Sequence, residues 1–207
     1  MKKDSTLKRG RGRPLAFDPD QAIDAAMRVF WLKGYEGAAL SDLTEAMGIN
    51  NPSLYAKFAD KRGLFLAALD HYQATIAARH MEPLVTQTTI RAAIAGHFAS
   101  INAALDATGT PPGCLIGAVA TDMAGRDEEI RARVDALVST AEDFLTQRFT
   151  QMGGAPMDEC VLAELVVSVG QSLASRSRAG ARGEELNAMT GRLLMALFGP
   201  EEPVPRS

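Results

Sequence analysis

The chain has 207 residues and a formal net charge of −3, with 46% hydrophobic and 6% aromatic residues. This is enough apolar material for a sizeable core and leans helical. No run approaches the roughly 18 apolar residues that cross a bilayer, no apolar segment marks a signal peptide, and two cysteines, Cys114 and Cys160, form neither a disulfide framework nor a metal pattern. A reduced, cytoplasmic protein with no membrane partner is therefore expected.

Charge is uneven. Residues 1–63 sum to +3 and residues 64–207 to −6, with no lysine after residue 63. A basic head on an acidic body points to nucleic acid at one end and a different partner at the other. The first fourteen residues form a basic arm, in which Arg9, Arg11 and Arg13 alternate with glycines up to Pro14. Such an arm cannot bury enough apolar surface to fold alone. It is slim and cationic enough for a minor groove. A solubilising tail is the alternative.

After the arm, Asp18 reads as an N-cap with Pro19 at the first helical position. Ile23, Met27 and Phe30 recur at helical spacing, and Gly34 ends the first helix after residue 33. Ser41 is expected to cap a short second helix that Gly48 breaks. Asn50 is expected to cap a third, with Asn51, Pro52 and Ser53 in its first turn. Asp60 is expected to cap a fourth, from Lys61 to about residue 79. Two short helices around a glycine are a helix-turn-helix pattern. Leu43, Met47, Ile49 and Leu54 can close a small core between them. Asn50, Asn51 and Ser53 are then free to meet base edges or phosphates, and Lys57 and Lys61 to meet phosphates.

Residues 15–65, in particular "AMRVFWLKGYEGAAL", "AMGINNPSLYAKFADK" and the Leu64–Phe65 pair, resemble the DNA-binding domain of the TetR family of transcriptional regulators. The resemblance implies an all-α homodimer. Its N-terminal helix-turn-helix would bind double-stranded operator DNA, and a small-molecule effector in the C-terminal domain would release it. Residues 15–63 would form the DNA-binding domain, and residues 64–207 the effector-binding and dimerisation domain. Ser41, Thr44, Asn50, Asn51, Ser53, Tyr55, Lys57 and Lys61 would contact DNA together with the arm arginines. Two departures stand out: Lys57 replaces a common aromatic, and Thr44 stands where alanine is frequent.

The body continues in helical segments at about 86–106, 127–151, 157–179 and 184–198, with a break at 108–113 and a segment from Cys114 to Met123. No strand pattern or repeat is visible. A mostly apolar effector pocket is expected from Tyr72, Ile76, Ile94, His97, Phe98, Ile101, Asn102, Cys114 and Met123. His97 and Asn102 would orient the ligand. Cys114 reads either as a reactive thiol at a helix start or as a small buried apolar residue. Val161, Leu165, Ser168, Val169 and Ser172, with Leu193 on the last helix, mix small and apolar side chains and suit a four-helix dimer interface. The three histidines have no ligand spacing, so no metal or other cofactor is expected, and no nucleophile–base pattern suggests an enzyme. An architectural protein of A·T-rich DNA and a helical small-molecule carrier remain alternatives.

Overall fold

The computed structural model describes residues 18–117 and 121–200; the arm, with Arg9, Arg11 and Arg13, lies outside them. Among the described residues every regular element is helical. α1 (Pro19–Gly37) starts where Asp18 accepts hydrogen bonds from the backbone N–H of Asp20 and Gln21. Gly34, at φ 75°, breaks the helix as the sequence indicates, and one further turn follows it. α2 (Leu40–Met47) begins two residues earlier than a Ser41 cap implies, so Ser41 is not its cap. Ala39 holds that place, and the Asp42 carboxylate accepts from its N–H at 3.1 Å. Asp42 also pairs with Lys33 at 2.8 Å, and that hydrogen bond, helped by the one from Ala39, lowers its pKa.

α3 (Asn51–Phe58) and α4 (Lys61–Tyr72) have their expected caps. The Asn50 side-chain oxygen takes the Ser53 N–H at 2.9 Å, and Asp60 takes the Gly63 N–H at 2.7 Å. The long fourth helix is not a uniform α-helix. It passes through a π-helical stretch at Gln73–Ala77 into α5 (Ala78–His80). Here Thr75 donates its hydroxyl to the His71 carbonyl at 2.6 Å, a side-chain bond that competes with the regular ladder. α6 (Glu82–Thr86), led by Pro83 in its first turn, was not foreseen; it precedes α7 (Ile90–Asp106), which Thr89 caps. α8 (Thr121–Ala124), α9 (Glu128–Met152), α10 (Glu159–Arg178) and α11 (Gly183–Phe198) complete the helices of the described residues.

Two apolar cores result. The first joins α1–α4 to Leu115, Met123 and the first half of α9 through Ile130, Val134 and Leu137. Phe30, Phe65 and Tyr35 form an aromatic cluster at its centre, with ring centroids 5.0–6.0 Å apart. The second joins α6 and α7 to the last part of α9 and to α10 and α11, through Phe98, Phe149, Leu162 and Leu186. No helix among the described residues is long and apolar enough to cross a membrane.

Arg148 ties α9 to the end of α6. Its guanidinium donates to the carbonyls of Leu84, Val85 and Gln87 at 2.8–3.2 Å. Replacing Arg148 with Met strips three carbonyls of their donor. It is expected to lower stability by about 2 kcal/mol in a urea titration. A loss under 0.5 kcal/mol would mean that water serves those carbonyls equally well.

Candidate functional site

The first candidate surface lies on α2 and α3. The apolar positions Leu43, Met47 and Leu54 are buried, so the opposite side of the hairpin is presented outward. Ser41, Asn51, Ser53, Tyr55 and Lys57 are all exposed there, Tyr55 by 47% of its surface. Three other residues named from sequence are otherwise engaged. Thr44 is buried, and its hydroxyl donates back to the carbonyls of Leu40 and Ser41 at 2.9 and 3.2 Å. Asn50 uses its oxygen as the helix cap, leaving its amide N–H groups for other contacts. Lys61 is half-buried, with its ammonium 4.7 Å from the centre of the Tyr35 ring. Replacing Asn50 with Ala removes the cap and should cost about 1 kcal/mol of stability. Thermal unfolding tests this, and an unchanged Tm contradicts it.

The second candidate site is a cavity of about 440 Å³ between α1, the α4–α5 rod, α7, α9 and α10. Tyr72, Ile76, His97, Ile101 and Cys114 line it together. The other four residues expected there lie elsewhere. Ile94 and Phe98 face the second core, Met123 is packed in the first, and Asn102 points towards α11, where its amide donates to Asn187 at 2.8 Å and Thr190 at 3.4 Å. Sequence periodicity locates the apolar stripe of α7 but not the register at which the helix passes from core to cavity wall. The walls that sequence reasoning missed come from distant helices: Arg28 and Trp31 on α1, Leu137 and Val138 on α9, and Val166 and Gln171 on α10.

The polar groups of the cavity are few and differentiated. The Tyr72 hydroxyl donates to the Cys114 sulfur at 3.3 Å. Burial raises the Tyr72 pKa well above the usual phenol value, and the adjacent thiol adds to this, so Tyr72 remains a neutral donor. The Trp31 ring meets the Tyr72 ring edge-on, with centroids 5.1 Å apart. Trp31 is 4% exposed, and its indole N–H has no hydrogen-bond partner among the described residues. His97 Nδ1 sits 2.6 Å from the His80 carbonyl oxygen. That bond requires an N–H at Nδ1 and makes Nε2 the acceptor in the neutral ring. Desolvation lowers the pKa of both histidines; His80, next to His97 and Arg79, falls to about 4. Both rings are neutral in the folded protein near pH 7, whereas the unfolded chain binds protons from about pH 6.5 downwards. Stability is thus full above pH 6.5 and falls between pH 6.5 and 4, by about 2 kcal/mol once partial exposure is allowed for. Urea titrations of the wild type and His80→Gln across that range test the sign. Equal acid slopes would show that His80 contributes nothing.

Cys160 is exposed, and its pKa is raised, first by desolvation and then by Glu164 and Asp158. Among the described residues no three metal-ligating side chains come together.

Residues 22–68 match the family model "Bacterial regulatory proteins, tetR family", and residues 91–189 match the "Transcriptional regulator LmrA/YxaF-like, C-terminal domain". The HTH-type transcriptional repressor ComR of Escherichia coli K12 is 36% identical over 202 residues, covering 94% of this chain and 96% of ComR. This chain belongs to the TetR family. A second relative, the HTH-type transcriptional repressor BdcR of the same organism, is 30% identical over 90% of this chain and 94% of its own. A cysteine mutant of the TetR-family regulator CifR, solved in complex with 26-base-pair double-strand operator DNA, superposes with a TM-score of 0.82 at 33% identity, covering 90% of this chain and all of that one. The TetR family consists of transcription regulators rather than enzymes.

On α10 the inner face carries Leu162, Ala163, Val166 and Leu173. Val161 and Ser168 are exposed, and Leu165, Val169 and Ser172 are half-buried, as is Leu193 on α11. Leu173 belongs to the core, whereas Val161, Leu165 and Val169 lie beside it.

Proposed function

We propose that this protein is a cytoplasmic, homodimeric repressor of transcription that binds a palindromic operator and is released by a small molecule held in the cavity. The operator complex of CifR, aligned along nearly the whole chain, carries this reading. Residues 18–63 present the DNA-reading face, and residues 64–200 hold the effector and the partner subunit. Asn51 and Ser53 read bases from the exposed first turn of α3, Tyr55 and Lys57 hold the phosphate backbone, and the arm reaches a flanking groove. The partly exposed stripe of Val161, Leu165, Ser168, Val169 and Ser172, continued by Leu193, forms the interface between subunits.

The cavity supports the switching role because α1 of the helix-turn-helix contributes Trp31 to its wall and the α4–α5 rod contributes Tyr72 and Ile76. A ligand that moves these side chains acts on the frame that spaces the two recognition helices. Coupling of this kind is reciprocal: ligand weakens operator binding by the factor by which operator weakens ligand binding, on the order of 5- to 150-fold.

A footprint on DNA captured from the organism's own genome tests the reading. A short protected palindrome supports a regulator, diffuse protection of A·T tracts indicates an architectural protein, and no protection a carrier. Asn51→Ala should relax preference at one base pair per half-site by about 1–3 kcal/mol, read from competition with single-base operator variants. An unchanged preference removes Asn51 from base reading.

A further inference from the structure

Among the described residues, the cavity's lining contains no aspartate or glutamate but includes two arginines, Arg28 and Arg79. Arg28 is already compensated by Asp24, its Nε lying 2.8 Å from the carboxylate. Arg79 is exposed, and no described acidic side chain pairs with it. The neighbouring His80 ring is neutral at pH 7 and hydrogen-bonded to Ser100 at 2.9 Å. Arg79 therefore leaves one positive charge without a described acidic partner beside a mostly apolar chamber.

The opposite end offers a different group. Trp31 packs against Tyr72, and its buried indole N–H finds no acceptor among the described residues. Tyr72 and Arg79 are seven residues apart on one nearly continuous helical rod, a span of at most about 10 Å at the α-helical rise and somewhat less through the π-helical stretch. Between these ends the walls are apolar, with Ile76, Ile101 and Val138.

We propose that the effector is an amphipathic organic anion whose acidic head group pairs with Arg79 and whose apolar body fills the chamber towards Trp31. This rests on the reading of the cavity as the effector site and adds the chemical class of its occupant. Three features select that class. No described acid lines the chamber to pair with a cation. The apolar walls reward a hydrocarbon body. A guanidinium at the edge pairs with a carboxylate or similar oxyanion without requiring full burial of either charge. An acceptor at the far end of the ligand would satisfy the Trp31 N–H.

Trp31 is the only tryptophan of the chain, so its emission reports occupancy directly. Decanoate, decanol and decylamine, matched in length and differing only in head group, are titrated at pH 7.5. Decanoate is expected to bind about tenfold or more tightly than either of the others, as a charge-assisted hydrogen bond implies. Arg79→Gln should erase that advantage while leaving decanol binding as it was, which also shows that the variant is folded. Equal binding of decanol or decylamine, an advantage that survives Arg79→Gln, or no response to any probe overturns the assignment. Gel shifts on the same samples separate it from the regulatory reading. Decanoate that binds selectively but does not displace operator leaves the ligand class standing and contradicts release. Displacement without head-group selectivity does the reverse.

Discussion

Gly63→Ala is expected to destabilise the protein by about 3 kcal/mol and to weaken operator binding by more than an order of magnitude. A β-carbon at Gly63 would collide with the carbonyl oxygen of Phe58. That oxygen belongs to the backbone, and it already accepts the Asp60 N–H at 2.8 Å, so no side-chain rotation relieves the clash. The Asp60 cap on the Gly63 N–H holds the corner closed from the other side. Relief requires moving the last turn of α3, the helix that carries Asn51 and Ser53. The neighbouring Ala59 offers the opposite test. It sits at φ 65°, where a β-carbon is disfavoured, so Ala59→Gly should stabilise by about 1 kcal/mol. Urea unfolding and gel shifts on both variants read the outcome. A Gly63→Ala protein with wild-type stability and affinity would show that the corner is slack.

Deleting residues 1–13 should weaken DNA binding by about a hundredfold or more at low salt, and less as salt rises. The segment carries six of the chain's 22 lysines and arginines, whereas α3 contributes only Lys57. Two arms per dimer add about four to eight phosphate contacts, each worth roughly 0.9 in the log–log salt slope. The truncated protein should therefore show a flatter slope, unchanged dimerisation and intact central base preferences, but a reduced preference for flanking A·T pairs. Full affinity with the original slope would mark the arm as an inert tail. Replacing Lys57 alone should act in the same sense but on a smaller scale.

Local signals carried much of the fold. Asp18, Asn50 and Asp60 announce three helix starts because a cap depends only on residues within one turn. Gly34 and Gly48 announce stops for the same reason. Ser41 misled because Asp42, one residue on, can accept the N–H of Ala39 and start the helix earlier. The π-helical stretch at Gln73–Ala77 left no trace in hydrophobic spacing, since it shifts the helical phase by one residue within an already mixed segment. The cavity was half legible. Tyr72, Ile76, His97 and Ile101 lie on two helices close in sequence, whereas Trp31, Val138 and Val166 reach it only through packing between segments far apart in the chain. The α10 stripe was ambiguous in the same way, because apolar residues cover more than one face and periodicity alone does not say which face meets its own subunit.

The partition of the two cores bears on how such a protein could be recombined. The first core continues past residue 63 into Leu115, Met123 and the leading half of α9, so α9 serves two packing units along its length. A chimera that grafts α1–α4 onto another regulator's body would inherit a surface shaped for Ile130, Val134 and Leu137 and meet strangers there. Exchange of operator specificity between relatives should therefore succeed by replacing the outward residues of α2 and α3 within an intact chain. Grafts cut after α4 should need compensating substitutions along the first turns of α9.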